Sequence, residues 1–245
     1  MPLQSFRAVA DEVAARHVHM GVLPIESSVS GPVAETHDLL FESPLAVVAQ
    51  TVLPIRHQLV GPAQIARQEL RVVRSHPHAL EQCRRLLASL PQATAVAAAT
   101  TADAARIVAE EQDPTHAAIT SPRAAELYDL VVLDHEVGDH PEAFTRFVAI
   151  ATHIQLERDE ASAYRTSFSF VTDHRPGALH DALEPFARLA VDLHHLSSRP
   201  IPQTPWRYRF DAVLAGHPLD PPIRQALGEA SARTRRLLVS GVYPE

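Results

Sequence analysis

The stretch AAITSPRAAELYDLVVL, residues 117–133, places two short apolar runs on either side of a helical pattern. We predict strands over residues 117–119 and 131–133, because apolar runs this short are typical of buried strands. Between them we predict a helix over residues 122–127, since Pro122 occupies the first-turn position that proline favours. Strands that alternate with helices are typical of an α/β fold with a largely parallel sheet.

The same alternation extends toward the N-terminus. We predict a first helix over residues 6–13 with Ser5 as its N-cap, because Phe6, Val9 and Val13 recur at helical spacing. The further expected elements are strands at 21–25, 45–53, 57–60 and 70–73 and helices at 77–87 and 101–110. These elements indicate one α/β region over most of the chain.

A polar, acidic stretch over residues 157–162 is typical of a linker, and the pattern restarts after it. The expected order is strand 167–171, helix 177–189, strands 191–196 and 208–213, helix 219–233 and strand 237–242. This βαββαβ order is the ferredoxin-like arrangement. We therefore predict two domains, residues 1–158 and residues 165–245.

Charge is distributed unevenly along the chain. Its 22 Lys and Arg against 29 Asp and Glu give a net charge of −7. The first 164 residues hold 12 Arg against 21 acids, a net −9, and residues 165–245 hold ten Arg against eight acids, a net +2. Nucleic-acid binding needs a basic face, so we expect no nucleic-acid partner.

Three residue types exclude several classes of site. Every basic residue is Arg, and the sequence contains neither Lys nor Asn. The absence of Lys excludes a Schiff-base lysine and the lysine of a P-loop. Cys83 is the single cysteine, which excludes an intrachain disulfide and a zinc site built from several cysteines.

The distribution of apolar residues indicates a cytoplasmic protein without a membrane partner. No apolar run approaches the roughly 18–20 residues that a membrane-spanning helix needs. Near the N-terminus the apolar residues are interrupted by Arg7, Asp11 and Glu12, which is not the pattern of a signal peptide.

Common cofactor and metal motifs are absent from the sequence. It contains no GxGxxG, GxSxG, HExxH or Walker pattern. Among its 15 His residues, the close pairs fall at positions 17 and 19, 76 and 78, and 194 and 195. Side chains one or two residues apart do not converge on a helix, and no further ligand recurs at a supporting distance. We therefore expect no metal and no cofactor.

Three segments combine residue types that carry chemistry. Residues 21–31 run from a strand into hydroxyl groups, one carboxylate and a glycine, and Thr145, Arg146 and Phe147 precede an apolar run. In residues 75–83, Ser75 and His76 open a helix at Pro77, and the free N–H groups of a helix start suit an anion. Taken singly, each segment is more typical of a capped helix or of a polar turn at a strand end than of a functional site.

In this order the segments resemble the prephenate dehydratase family. Its pattern runs GVxPIENS, DLL, SHPxALxQC and DxxxNxTRF, followed by PGAL and ESRP in a regulatory ACT domain and by a closing GSYP. The matching stretches here are GVLPIESS (21–28), DLL (38–40), SHPHALEQC (75–83), DHPEAFTRF (139–147), PGAL (176–179), SSRP (197–200) and GVYP (241–244). The resemblance covers almost the whole chain.

The resemblance implies a fold and a reaction. The fold is a two-lobed α/β catalytic domain, like periplasmic binding proteins, followed by a ferredoxin-like ACT domain. The reaction is the decarboxylating dehydration of prephenate to phenylpyruvate in phenylalanine biosynthesis, and aromatisation drives it without a cofactor. The cleft between the lobes would gather the catalytic residues Thr145, Arg146, Glu26, Ser28, Ser75 and Gln82 and the substrate-binding residues Ser27, His76 and Phe147.

Two of these residues receive chemical roles. Arg146 would hold one carboxylate of prephenate through its planar guanidinium group. The backbone amides at the helix start that follows Ser75 would hold the second carboxylate. Thr145 would donate a hydrogen bond to the departing hydroxyl group. Cys83 is expected to be a small buried apolar residue.

The resemblance also implies regulation through the second domain. ACT domains pair and bind an amino acid at their interface, so phenylalanine would be a feedback effector and the chain a homo-oligomer, a dimer or a tetramer. The implied effector-binding residues are Gly177, Ala178, Leu179, Ser198, Arg199 and Pro200.

The sequence departs from the family pattern at four places. The family begins with a strand and a GPxGTxS turn that this sequence does not contain, which implies a true start further upstream or a compromised chain. Ser27 and Ala143 replace two Asn residues of the pattern, and Ser197 replaces the Glu of ESRP. Three alternatives therefore stay open: a catalytically inactive amino-acid sensor, an arogenate dehydratase, and a prephenate decarboxylase that does not dehydrate.

Overall fold

The computed structural model describes residues 3, 5–154, 158–159, 162–201 and 204–245. The chain forms two compact units, Met1–Val52 with Arg146–Glu245 and Leu53–Thr145. The described helices are α1 (Phe6–Ala14), α2 (Ala34–Glu42), α3 (Pro77–Glu81), α4 (Arg84–Ala88), α5 (Thr101–Glu111), α6 (Pro122–Leu127), α7 (Ala178–Arg188) and α8 (Pro221–Ala232). The described strands are β1 (Gly21–Ser27), β2 (Gly31–Pro32), β3 (Ala46–Pro54), β4 (Gln58–Gly61), β5 (Val72–Ser75), β6 (Thr94–Ala97), β7 (His116–Thr120), β8 (Val131–Asp134), β9 (Phe144–Ala151), β10 (Tyr164–Val171), β11 (Leu193–Pro200), β12 (Tyr208–Ala215) and β13 (Arg236–Pro244).

An eight-stranded sheet with the order β11-β12-β10-β13-β3-β9-β1-β2 organises the first unit. Its β10–β13 end is antiparallel throughout, and β10 lies between β12 and β13. With α7 and α8 this end has the predicted βαββαβ order and the ferredoxin-like strand arrangement. The strand expected at 191–196 begins and ends later, at Leu193–Pro200.

A close approach of two backbones joins this antiparallel end to the rest of the sheet. Gly241 of β13 pairs in parallel with Val47 of β3. A Cβ atom at position 241 would lie 2.6 Å from Val47 Cβ and 2.7 Å from Ser167 Oγ. The two backbones therefore approach this closely because residue 241 has no side chain.

The last strand also contributes to the core packed around α1 and α2. Tyr243 is 4% exposed and belongs to the same apolar cluster as Leu23, Val47 and Ile150. A separate cluster around Phe168 and Phe186 fills the space beneath α7 and α8. The two clusters lie within one unit, so its sheet carries two cores.

The second unit contains a five-stranded mixed sheet with the order β6-β5-β7-β4-β8. Strand β5 runs parallel to β6 and β7, whereas β4 runs antiparallel to β7 and β8. The expectation of a largely parallel sheet is therefore wrong for this unit. Apolar runs indicate that strands exist, but strand direction depends on how the connections cross the sheet.

The helix expected over residues 77–87 is two short helices, α3 and α4. They are separated at Gln82 and Cys83, and Cys83 leaves the helical region at φ −124°. The carboxylate of Asp139 accepts hydrogen bonds from the backbone N–H groups of Arg84 (2.9 Å) and Arg85 (3.1 Å). A side chain distant in sequence thus begins a second helix, which local periodicity does not reveal.

Of the helices and strands given above, the sequence did not predict α2, β2, β6 or β9. The N-cap of α2 is Val33, which makes no side-chain capping hydrogen bond. Strand β6 alternates Thr94 and Val96 with alanines, but it is short and mostly exposed, so no buried apolar run marks it in the sequence.

The described residues set limits on membrane and metal sites. Among them, no helix is long and apolar enough to cross a membrane. No group of three or more His, Cys, Asp and Glu side chains within the described ranges is placed to hold a metal ion. Half of the expected linker at 157–162 lies outside these ranges, and the expected domain boundary stays a prediction.

Candidate active site

Arg146 is held in a defined orientation at the start of β9. Its Nε lies 3.3 Å from Glu26 Oε2, and its Nη1 donates a 3.0 Å hydrogen bond to Gln50 Oε1. Strand β9 lies between β3, which carries Gln50, and β1, which carries Glu26. The guanidinium group of Arg146 has five N–H donors, and these contacts use only some of them. A substrate carboxylate can therefore still bind to the remaining N–H groups.

Glu26 stands where β1 turns into β2. Ser27 Oγ accepts hydrogen bonds from the backbone N–H groups of Val29 (3.2 Å) and Ser30 (3.4 Å), and Ser27 pairs with Gly31. Ser27 therefore forms the turn, as serine often does. Ser28 follows it and is exposed.

Thr145 and Phe147 flank Arg146 on β9, and both are partly exposed. Successive side chains leave opposite faces of a strand, so Thr145 aligns with Phe147 and Arg146 aligns with Val148. Ala143, which replaces an Asn of the family pattern, is 7% exposed, and its carbonyl accepts a hydrogen bond from Ile55. The backbone carbonyl of residue 143 thus has a hydrogen-bond partner without the Asn side chain of the family pattern.

Ser75 and His76 have structural partners in the second unit. Ser75 is fully buried, and its hydroxyl donates a 2.6 Å hydrogen bond to the Ile119 carbonyl. His76 caps α3, and its Nδ1 accepts from the His78 backbone N–H. Burial, and secondarily the charge of His78, lowers the pKa of His76. A helix of five residues offers only a short anion-binding end.

Gln82 connects α3 to two other segments. Its Oε1 lies 3.0 Å from His57 Nε2, and its backbone carbonyl accepts from Asp139 N–H at 2.7 Å. The neighbouring Cys83 is fully buried, and desolvation together with the charge of Asp139 raises the pKa of its thiol to about 12. This thiol remains protonated at neutral pH, so Cys83 is not a nucleophile.

The structure brings some of the expected site residues together. Glu26 and Arg146 are in contact within the first unit, and Ser75, His76 and Gln82 lie along one strand–helix junction of the second. Gln50 and His57 were not predicted as members of the site. No local motif marks either residue; each is found only through its partner.

A partly buried ionic network lies beside the first group of residues. Asp38 Oδ1 accepts from Arg209 at 2.7 Å, and Asp38 Oδ2 accepts from Arg199 at 2.7 Å. Arg209 is fully buried and also bonds Asp211. Burial alone would raise the pKa of Asp38, but the hydrogen bonds from both arginines outweigh it and lower the pKa. Arg199 was expected to bind an effector, but its side chain bonds Asp38, the first residue of the DLL motif.

The other expected effector residues lie beside a cavity at the end of α7. Gly177 adopts φ +79° and begins the helix, a conformation that favours glycine. The cavity has a volume of about 310 Å³. Its lining is formed by Thr172, Asp173, His174, Arg175, Pro176, Ala178, Leu179, Arg207, Tyr208 and Phe210. Ala178 and Leu179 were expected there, and the aromatic residues of β12 were not.

The expected residues Ser198 and Pro200 sit on β11 next to this lining. Ser198 pairs with Phe210, and Pro200 pairs with Tyr208. The alternation of a strand directs Ser198 to the exposed side and Arg199 inward. Ser198 and Pro200 do not line the cavity themselves, but the residues with which they pair on β12, Phe210 and Tyr208, do.

Comparison with protein families gives one match over much of the chain. Residues 1–155 match the family model described as prephenate dehydratase. The bifunctional chorismate mutase/prephenate dehydratase of Pseudomonas aeruginosa is 34% identical over the whole chain, which covers 66% of that protein. The prephenate dehydratase of Amycolatopsis methanolica is 36% identical over 95% of the chain, covering 76% of that protein. The chain spans about two thirds of the length of its bifunctional relatives.

Two solved structures are similar to the entire chain. The prephenate dehydratase of Arthrobacter aurescens in complex with L-Phe has a TM-score of 0.88 at 29% identity, with 81% of that chain covered. GqqA, described as a novel type of quorum quenching acylase, has a TM-score of 0.87 at 29% identity, with 88% covered. The fold class and the family resemblance are confirmed.

Proposed function

This chain belongs to the prephenate dehydratase family, and from that premise we propose that it converts prephenate into phenylpyruvate, carbon dioxide and water. The observation that carries the proposal is Arg146, held by Glu26 and Gln50 within the matched region. An oriented guanidinium suits a substrate with two carboxylates.

The reaction needs charge stabilisation more than covalent chemistry. As the carboxylate leaves as carbon dioxide, its electron pair enters the ring and expels the ring hydroxyl, which takes up a proton and leaves as water. Arg146 binds a carboxylate, and Thr145 donates a hydrogen bond to the departing oxygen. In this proposal Thr145 and Arg146 act on different groups of the substrate.

The remaining residues have supporting roles in this proposal. Glu26 orients Arg146, while Ser27 and Ser28 shape the turn beside it. Phe147 packs beside the ring. Ser75, His76 and Gln82 fix the strand–helix junction of the second unit through their contacts with Ile119, His78 and His57. No cofactor takes part, because aromatisation of the ring drives the reaction.

We further propose that residues 165–245 form an ACT domain and that phenylalanine is a feedback effector bound in the 310 Å³ cavity. The cavity combines the aromatic rings of Tyr208 and Phe210 with the charges of Asp173 and Arg175. That combination suits a zwitterion with an apolar side chain. The similar protein from Arthrobacter aurescens was solved in complex with L-Phe.

A homo-oligomer and a cytoplasmic location complete the proposal. Strand β11 lies at an end of the eight-stranded order, so its outer edge can pair with a second copy. Leu196 on this strand is 42% exposed, which supports an apolar contact there. Light scattering after size exclusion tests this arrangement: a dimer or a tetramer supports it, and a monomer contradicts it.

The deciding experiment incubates the purified chain with prephenate and follows the absorbance of phenylpyruvate, with and without phenylalanine. Product that phenylalanine suppresses supports the proposal. Phenylalanine binding without product indicates an amino-acid sensor, and decarboxylation without phenylpyruvate indicates a decarboxylase. Parallel reactions with arogenate and with an N-acyl amide test the activities that two similar proteins are named for.

A further inference from the structure

His195 reaches from the C-terminal strands to the candidate active site. It lies on β11, yet its Nδ1 is 3.9 Å from Glu26 Oε1. The other oxygen of the same carboxylate is 3.3 Å from Arg146 Nε. Glu26 is therefore flanked by an imidazole on one side and a guanidinium on the other.

Two contacts fix the ring of His195. Its Nε2 lies 3.1 Å from Ser197 Oγ, two residues along the same face of β11. Its ring stacks on His37 with centroids 5.9 Å apart and an interplanar angle of 19°. His37 lies 3.7 Å from Asp211, a carboxylate that also bonds the buried Arg209.

The strand that carries His195 also borders the effector cavity. Tyr208 and Phe210 line that cavity and pair directly with Pro200 and Ser198 of β11. A ligand that shifts these rings therefore acts on the strand that holds His195. The distance along β11 is only three to five residues, so the paired strands form a contiguous physical connection between the cavity and His195.

We propose that His195 is a positioning residue that holds Glu26, and through it Arg146, and that couples occupancy of the effector cavity to substrate binding. This inference rests on the proposed dehydratase function. Coupling requires that phenylalanine have different affinities for two arrangements of this contact. Measured couplings between sites amount to roughly 5–150-fold in affinity.

The test compares His195→Leu with His195→Asn, which keeps a polar group at the position of Nδ1. His194→Leu is the matched control, because His194 contacts Asp192 and Glu245 instead of Glu26. For each variant, calorimetry gives the Kd of phenylalanine, and steady-state rates give kcat and KM for prephenate at several phenylalanine concentrations.

For His195→Leu we expect KM for prephenate to rise at least fivefold and kcat to change less than KM. Inhibition by phenylalanine should weaken at least fivefold, which is about the lower end of measured couplings between sites. The Kd of phenylalanine should remain within about twofold, since His195 does not line the cavity. His195→Asn should recover part of the loss and also serves if the Leu variant fails to fold.

Wild-type KM and inhibition in both His195 variants would overturn the inference while leaving the proposed function intact. An equal loss in His194→Leu would also overturn it, since it would indicate a general effect on β11. A wild-type chain that forms no phenylpyruvate would overturn the proposed function, and the inference with it.

Discussion

Asp38 on α2 and Arg199 on β11 form a 2.7 Å ion pair although 161 residues separate them along the chain. The same carboxylate bonds Arg209, whose side chain is completely buried. A buried cation that loses its partner is costly, because its desolvation is no longer compensated. This contact therefore ties the DLL motif to two strands of the ferredoxin-like end.

We expect Asp38→Asn to lower the free energy of unfolding by about 1–3 kcal/mol, since it leaves Arg209 with Asp211 alone. Urea unfolding followed by circular dichroism measures the effect. The control is Glu42→Gln, which breaks the exposed pair with Arg7 and should cost less than about 1 kcal/mol. Equal losses in the two variants would contradict the importance of the buried network.

The buried imidazole of His37 makes stability depend on pH. Burial lowers the pKa of His37 below 6.5, outweighing the opposing effect of Asp211. The unfolded chain therefore binds this proton at a higher pH than the folded chain does. The stability that the neutral ring contributes is present above about pH 6.5 and is lost as the pH falls below it.

We therefore expect His37→Gln to lose less stability than the wild type between pH 7.5 and pH 5.5. The measurement is the urea midpoint at each pH. His19→Gln is the control, because His19 is exposed, and it should keep the wild-type dependence. A His37→Gln variant with the full wild-type dependence would show that other groups cause it.

The hydroxyl of Thr145 should matter to turnover more than to folding. Removal of one hydrogen-bond donor to a developing oxyanion costs about 10²–10³ in rate. We expect Thr145→Val to lower kcat at least about a hundredfold, while Thr145→Ser keeps most of it. Near-normal turnover in the valine variant, measured by phenylpyruvate formation, would refute the role.

Gly241 should tolerate no side chain. A Cβ atom there would lie 2.6 Å from Val47 Cβ and 2.7 Å from the Val47 carbonyl, so Gly241→Ala must separate β13 from β3. We expect a loss of about 1–3 kcal/mol, the usual cost of overpacking. Gly228→Ala is the contrasting control, because nothing lies within 4 Å of a Cβ atom in that exposed helical position.

Gly228→Ala should stabilise the chain by about 0.5–1 kcal/mol, since alanine favours a helix interior more than glycine does. Thermal unfolding of the two alanine variants gives the comparison. If both variants change the melting temperature in the same direction, β13 and β3 do not approach at Gly241 as closely as these distances indicate.

The sequence predicted those helices whose first residues are capped by side chains only a few positions away. The hydroxyl of Ser5 accepts from Ala8 and begins α1, and α6 has the predicted bounds because Ser121 and Pro122 define its start. The βαββαβ order was also predictable, because its strands and helices are long and strongly periodic. Motifs in sequence order predicted the family.

Features that depend on distant partners were not predictable. Asp139 begins α4 from 55 residues away, and Arg199 bonds Asp38, whereas the sequence suggested that it binds an effector. Of the Glu26 contacts, the sequence suggested proximity to Arg146 but not to His195, since no local pattern pairs β1 with β11. Sequence spacing constrains neighbours along the chain, whereas these contacts depend on the tertiary fold.

The position of Tyr243 in the core of α1 and α2 has a consequence for shortened versions of the protein. Its ring packs with Leu23, Val47 and Ile150, which precede it by about 90 residues or more. A stop codon a few triplets early, or a protease that trims the tail, would leave a hole among those side chains. Deleting the proposed ACT domain would remove Tyr243 from this core and damage the proposed catalyst, so release from the proposed feedback is better sought by point substitution.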